Sequence, residues 1–267
     1  MAQSMNNQFN NNTFNNNSNS SISLAELVKN YQQPPFIKRD LRGSKLEEYL
    51  KNFDSKPFTQ LQKNAIVGTL LGDATLGCRG TKIHLKIEQG KNGKGGPVKE
   101  QYVFLLYNIF SDYVGSPAQL YYKKGNPHSC WFRTFGLTKL NYYRDQFYSI
   151  NPMGKLKKVV PKNIHQMLNA ESLSLWFCDD GSKESSGYKL STHGFLYPEV
   201  LRLQQALGQV FGFEVNIGKN FDKNKNITRY FLYIKASSRD KFTNIVSPNM
   251  VEIMKYKLHP IVPTVVG

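Results

Sequence analysis

The chain carries the same local design twice. Residues Ile66-Val67-Gly68-Thr69-Leu70-Leu71-Gly72-Asp73-Ala74 and Leu173-Ser174-Leu175-Trp176-Phe177-Cys178-Asp179-Asp180-Gly181 are each an apolar helical run that delivers a carboxylate at its C-terminal tip. A carboxylate there meets the partial negative charge of the helix dipole, which costs roughly a few tenths of a kcal/mol. A compensating cation is therefore expected at each tip. If the two helices lie side by side, Asp73 and Asp180 form an oxygen cluster suited to a hard divalent cation such as Mg²⁺.

Around both runs the hydrophobic period changes in the same order. Thr59-Gln60-Leu61-Gln62 fits a capping box that starts the first helix. Ala65, Gly68 and Gly72 then fall on one helix face, small enough to let another backbone approach, and Ser174 and Cys178 offer a comparable small step before Asp180. Ile83, Leu85 and Ile87 next alternate with Lys82, His84, Lys86 and Glu88, a strand with one face buried and a mostly basic face outside. A helix is predicted over Val98 to Tyr113, strands over Gln119 to Lys124 and Ser129 to Phe135, and a helix over Thr138 to Tyr148. The second half repeats the order. Strands are predicted around Lys183 and over Lys189 to His193, then a helix over Pro198 to Phe211, strands over Glu214 to Asn220 and Thr228 to Lys235, and a helix from Arg239. The acids are 180 − 73 = 107 residues apart, which sets the repeat length. The fold expected is α+β, two pseudo-symmetric α-β-β-α-β-β-α repeats.

The two motifs resemble those of the LAGLIDADG homing endonucleases, in the single-chain form with both motifs on one polypeptide. Aligned on the final acidic position, Asp73 and Asp180 match the family's metal-binding aspartates, and the resemblance runs from about Pro57 to about Lys257. The chain departs from the consensus at Ala74, where Gly is usual, and at Leu71 and Cys178, where an acid is common. The resemblance implies antiparallel sheets forming a DNA-binding saddle, halves at 57–153 and 169–267, and a basic linker at 154–168. It also implies a lysine beside the metals in each half, which position by position gives Lys158 and Lys257. The backbone carbonyls of Gly72 and Asp179 would supplement the carboxylates. Asp179's side chain has three readings: an outer-shell partner, a helix-end residue, or a partly solvated one.

Charge agrees independently with a nucleic-acid partner. Thirty-five Lys and Arg against nineteen Asp and Glu give +16, a field attractive to polyanions. A membrane is disfavoured, because no segment approaches the ~20 consecutive apolar residues of a spanning helix. The strand residues best placed to face DNA are Lys82, His84 and Lys86 in the first half and Lys189, Arg229 and Lys235 in the second. Lysines there supply mostly salt-sensitive affinity, and Arg229 is better suited to base reading. Three scattered cysteines and five scattered histidines form neither a disulfide framework nor a zinc spacing.

The first twenty residues hold no charged side chain, are dominated by Asn, and are expected to be disordered. They lack the apolar core of a secretory signal and the Arg-rich amphipathic character of a transit peptide. The rest of the first 56 residues reads as an N-terminal extension with a helix over Ser44 to Asn52, broken upstream by Pro34-Pro35. The function expected is hydrolysis of both strands of a long, pseudo-palindromic DNA site with Mg²⁺, for which Mn²⁺ substitutes, by a monomer. The resemblance further implies an intron-encoded origin in a mitochondrial or chloroplast genome. The rival is an RNA maturase that binds intron RNA and assists its splicing. A different nuclease class pairing Asp73 with Glu88 fails, since Gly90 stands where that scheme wants a lysine.

Overall fold

The computed structural model describes residues 22–32, 39, 41–91, 96–222 and 226–260. The Asn-rich tract expected to be disordered and the Pro34-Pro35 break lie outside these residues. The N-terminal extension carries α1 (Leu24–Lys29) and α2 (Gly43–Asp54). The first half follows as α3 (Gln60–Leu71), β1 (Thr75–Arg79), β2 (Lys82–Gly90), α4 (Glu100–Ile109), β3 (Gln119–Lys123), β4 (Asn126–Arg133) and α5 (Asn141–Phe147). A two-stranded ribbon, β5 (Tyr148–Ile150) and β6 (Leu156–Lys158), and the short α6 (Ile164–Met167) lead to the second half. That half comprises α7 (Ala170–Asp180), β7 (Gly181–Lys183), β8 (Tyr188–Ser191), α8 (Tyr197–Phe211), β9 (Val215–Asp222), β10 (Ile227–Ile234), α9 (Arg239–Val246) and a closing 3-10 helix, Glu252–Lys257.

Both large sheets are antiparallel and share one strand order, β1-β2-β4-β3 and β7-β8-β10-β9. This is the expected α+β pseudo-symmetric pair. In each sheet the period-two pattern decides which face is covered. Ile83, Leu85, Ile87 and Gln89 point from β2 into the core, while Lys82, His84, Lys86 and Glu88 stay partly exposed on the other face. Tyr188 and Leu190 do the same for β8. Helix α4 covers the inner face of the first sheet and α8 that of the second, leaving both outer faces open.

The motif helices α3 and α7 pack against each other along their length. Two glycines make this possible. A methyl group at Gly68 would overlap the carbonyl oxygen of Ser172, and one at Gly72 would overlap the side chain of Asp179. The α7 stripe in contact is therefore Ser172, Leu175 and Asp179. The expected small step of Ser174 and Cys178 belongs to another side of that helix: two residues advance roughly 200° around the axis, and both residues are buried elsewhere. The capping box at Thr59 and Gln62 forms in full, and Asn169 with Ser172 builds a second one at the start of α7.

The N-terminal extension is locked to both halves. Leu24 is fully buried, and its backbone N–H donates to Glu171 Oε1 at 2.6 Å, while Asn64 Nδ2 of α3 donates to Glu171 Oε2 at 2.6 Å. Helix α1 thus sits where the N-terminal ends of the motif helices meet. At the end of α2, Asp54 Oδ2 accepts from the N–H and the hydroxyl of Thr138. Leu24 and Leu50 each contribute about 2 kcal/mol of burial. Deletion of everything before Pro57 is accordingly expected to lower the thermal midpoint by at least several degrees in a melt followed by circular dichroism. An unchanged midpoint would show that these contacts contribute nothing.

Candidate active site and nucleic-acid interface

Both carboxylate tips are met by a lysine. Lys158, the last residue of β6, donates from Nζ to the carbonyls of Gly72 at 2.8 Å and Ala74 at 2.7 Å. Lys257, the last residue of the closing 3-10 helix, donates to the carbonyls of Phe177, Cys178 and Asp179. The last carbonyls of a helix lack partners within it, so an ammonium group there both satisfies them and offsets the dipole. Each lysine thus sits on the carbonyls of the tip that carries a motif acid, without an ion pair to the acid itself.

Three carboxyl groups converge between the tips. Asp179 Oδ2 accepts from the backbone N–H of Asp73 at 3.1 Å. The amide of Gln89 joins the pair, donating from Nε2 to Asp73 Oδ2 at 2.9 Å and to Asp179 Oδ1 at 2.9 Å, while its carbonyl accepts from Lys99 Nζ at 3.2 Å. Burial pushes the Asp180 carboxyl up to about 7, with the nearby charge of Asp73 adding to the rise and Lys158, Lys257 and Lys99 opposing it. Burial likewise holds Asp179 well above the usual carboxylate range, reinforced by Asp73 and Asp180. Burial lowers Lys158 against the pull of the three aspartates, and it lowers Lys257 with help from Lys99.

Among the described residues no lysine or arginine makes an ion pair with any of the three aspartates. Crowded carboxyl oxygens without a directly paired cation are a donor set for a hard divalent cation. Among the described residues no group of three or more His, Cys, Asp and Glu is placed to hold a metal ion by itself. A hard cation fits these carboxyls only as an open site, where donors from outside the protein would have to complete its shell. Gln89 was not foreseen from sequence. Its signal was available: it continues the inward row Ile83, Leu85, Ile87 as the one polar member.

Five of the six expected DNA-facing residues lie on the open sheet faces. Lys82, His84 and Lys86 occupy the outer row of β2, Lys189 that of β8, and Arg229 that of β10. Lys235 lies one residue beyond β10 and pairs with Glu214 at 2.8 Å. Lys86 pairs with Glu88 at 2.7 Å, and the His84 ring covers Gly77. Among the described residues no helix is long and apolar enough to cross a membrane.

The family model of the LAGLIDADG DNA endonuclease family matches residues 63–242, about two thirds of the chain and both motif helices. The chain belongs to the LAGLIDADG DNA endonuclease family. A probable intron-encoded endonuclease 1 of Wickerhamomyces canadensis is 30% identical over 242 residues, which cover 83% of this LAGLIDADG chain and 95% of that protein. Cytochrome b mRNA maturase bI2 of Saccharomyces cerevisiae is 29% identical over 208 residues, 72% of this chain and 46% of the maturase. Among solved structures, the homing endonuclease I-WcaI bound to its DNA recognition sequence superposes with a TM-score of 0.67 at 25% identity, over 91% of this chain and 100% of that one. The α+β pair of open sheets described above is thus a LAGLIDADG fold.

Proposed function

We propose that this chain is a site-specific endonuclease of double-stranded DNA that depends on divalent metal and acts as a monomer, with Asp73 and Asp180 as the metal-holding carboxylates. The observation that carries the reading is that α3 and α7 pack so that burial and the charge of Asp73 raise the Asp180 carboxyl, with a lysine on the carbonyls of each tip and, among the described residues, no cation paired to the carboxyls. The halves are 57–153 and 169–267, joined through 154–168. The chemistry that a bound Mg²⁺, or Mn²⁺ in its place, would supply is a more acidic water and neutralisation of charge on the leaving 3′ oxygen. Asp73 and Asp180 hold the cation, and the Gly72 and Asp179 carbonyls supplement them. Lys158 and Lys257, fixed by two and three carbonyls respectively, stabilise the negative charge that grows on phosphorus oxygens. Asp179 is a buried partner that fixes the backbone of Asp73. Lys82, His84, Lys86, Lys189, Arg229 and Lys235 contact DNA.

The similarity to a probable intron-encoded endonuclease supports an intron-borne gene, and the proposal extends this to intron homing in a mitochondrial or chloroplast genome. The maturase relative supports the second reading, in which the same scaffold binds intron RNA and assists splicing. One experiment separates them. The protein is incubated with a randomised duplex-DNA library in Mg²⁺ and the broken ends are sequenced, with an intron-RNA arm in parallel. Defined ends within one long, imperfectly palindromic site are expected. Duplex DNA left whole, together with specific retention of an intron RNA, would sink the endonuclease reading.

Gln89→Leu is expected to keep the fold and remove the neutral donor that Asp73 and Asp179 share. Cutting should fall by roughly tenfold or more, and the Mg²⁺ concentration for half-maximal rate should rise, because a group that orients a ligand contributes on that scale. A metal titration of the cleavage rate reads both, and a wild-type curve would remove Gln89 from the site.

A further inference from the structure

The two open sheet faces can be compared row by row, because the strand register is the same in both. Thr75 stands opposite Lys86, and Ser182 opposite Lys189, each hydroxyl two residues beyond its motif aspartate. On the next strand Lys86 faces Arg133 and Lys189 faces Tyr233; one pair further along, Glu88 faces Trp131 and Ser191 faces Phe231. Two of these equivalent positions differ in chemistry: Arg133 against Tyr233, and Glu88 against Ser191. One cluster is the same in both halves. It consists of a hydroxyl, a lysine and an aromatic ring, with Lys86 Nζ 5.4 Å from the Trp131 centroid and Lys189 Nζ 4.6 Å from that of Phe231.

An ammonium held over a ring is attracted by the ring's quadrupole and has fewer positions to lose when it binds. It offers donors only. In the major groove the edge presenting two acceptors side by side is that of guanine, through O6 and N7. Lys86 spends one donor on Glu88 and keeps two, whereas at the equivalent position beside Lys189 stands Ser191. Each lysine is paired with the residue two beyond its motif aspartate, so the two stand at the same register from the tips of α3 and α7.

We propose that Lys86 and Lys189 are a matched pair of guanine readers. They require the same G·C pair at mirror positions of the two half-sites, on opposite strands, and the unmatched positions around them let the half-sites diverge elsewhere. This rests on the double-strand DNA reading given above.

The test is selection from a randomised duplex library by wild type, Lys86→Ala, Lys189→Ala and Lys86→Arg, reading both cut ends and retained duplexes. The wild-type site is expected to hold guanine at one pair of mirror positions. Lys86→Ala should reduce discrimination there by roughly tenfold in one half-site only, and Lys189→Ala in the other only. Lys86→Arg should keep the guanine, which a merely structural lysine has no reason to do. A wild-type site whose mirror positions ignore both lysines, or lack guanine, overturns the proposal and leaves the endonuclease reading standing. A library from which wild type neither cuts nor retains any sequence overturns both.

Discussion

Asp180→Asn is expected to melt above the unsubstituted protein at pH 8 in the absence of divalent cations, and level with it near pH 4. The Asp180 carboxyl titrates at about 7 in the folded chain against an ordinary 3.8, so between those values the folded state holds a proton that the unfolded state has released. Stability then falls as pH rises through this window, and the loss is complete above about 7. A rise of about three pH units corresponds to on the order of 4 kcal/mol. Asparagine does not ionise and escapes the loss. Saturating Mg²⁺ should reverse the order at pH 8, because a ligand that binds only the folded wild type stabilises it by mass action. Differential scanning calorimetry from pH 4 to pH 8, with chelator and with Mg²⁺, measures all of this. A wild type that gains stability relative to the variant as pH rises without metal would contradict the burial of Asp180.

Gly68→Ala is expected to damage both the fold and the chemistry. The new methyl would overlap a backbone carbonyl, that of Ser172, which cannot rotate away as a side-chain tip does. Helices α3 and α7 must then separate or slide at the contact that brings Asp73 to Asp179 and Asp180. Overpacking of this kind costs about 1–3 kcal/mol, and a displacement of about 1 Å at a catalytic site is enough for a loss on the order of a hundredfold. Urea unfolding and single-turnover cleavage of the same preparation separate the two effects. A variant with full stability and full rate would mean that the helices do not need this close approach. By contrast, alanine at the exposed Gly80, whose added methyl meets nothing, tests only the positive φ of a turn far from the motifs.

Much of this was legible in the sequence because it is local. The motif helices, the alternation Ile83-Leu85-Ile87 and its counterpart near Leu190, and the Thr59 cap all express one element's own periodicity or chemistry. The need for a cation at each tip followed from the dipole alone; Lys158 and Lys257, which the resemblance implied, lie on the carbonyls of those tips. What escaped depends on contacts between distant segments. The phase of α7 against α3 is set by Ser172 and Asp179, a choice that the small residues Ser174 and Cys178 obscured. The β5 and β6 ribbon is only three residues per strand and is masked by the basic run in which Leu156–Lys158 lies. Glu171 joins α1 to Asn64, and nothing in the local sequence of any of the three announces it. Gln89 is intermediate: its inward position was readable from period two, but its two carboxylate partners were not.

The central claim is that one cleavage centre is built from Asp73 and Asp180 where the motif helices cross. It is tested most directly by cutting of the selected target with wild type, Asp73→Asn and Asp180→Asn in Mg²⁺, with retention of the same duplex in Ca²⁺ as the measure of binding. Calcium fills an oxygen site while supporting chemistry poorly. Both variants are expected to retain the duplex and to leave its strands uncut. Undiminished cleavage by either one would contradict the assignment.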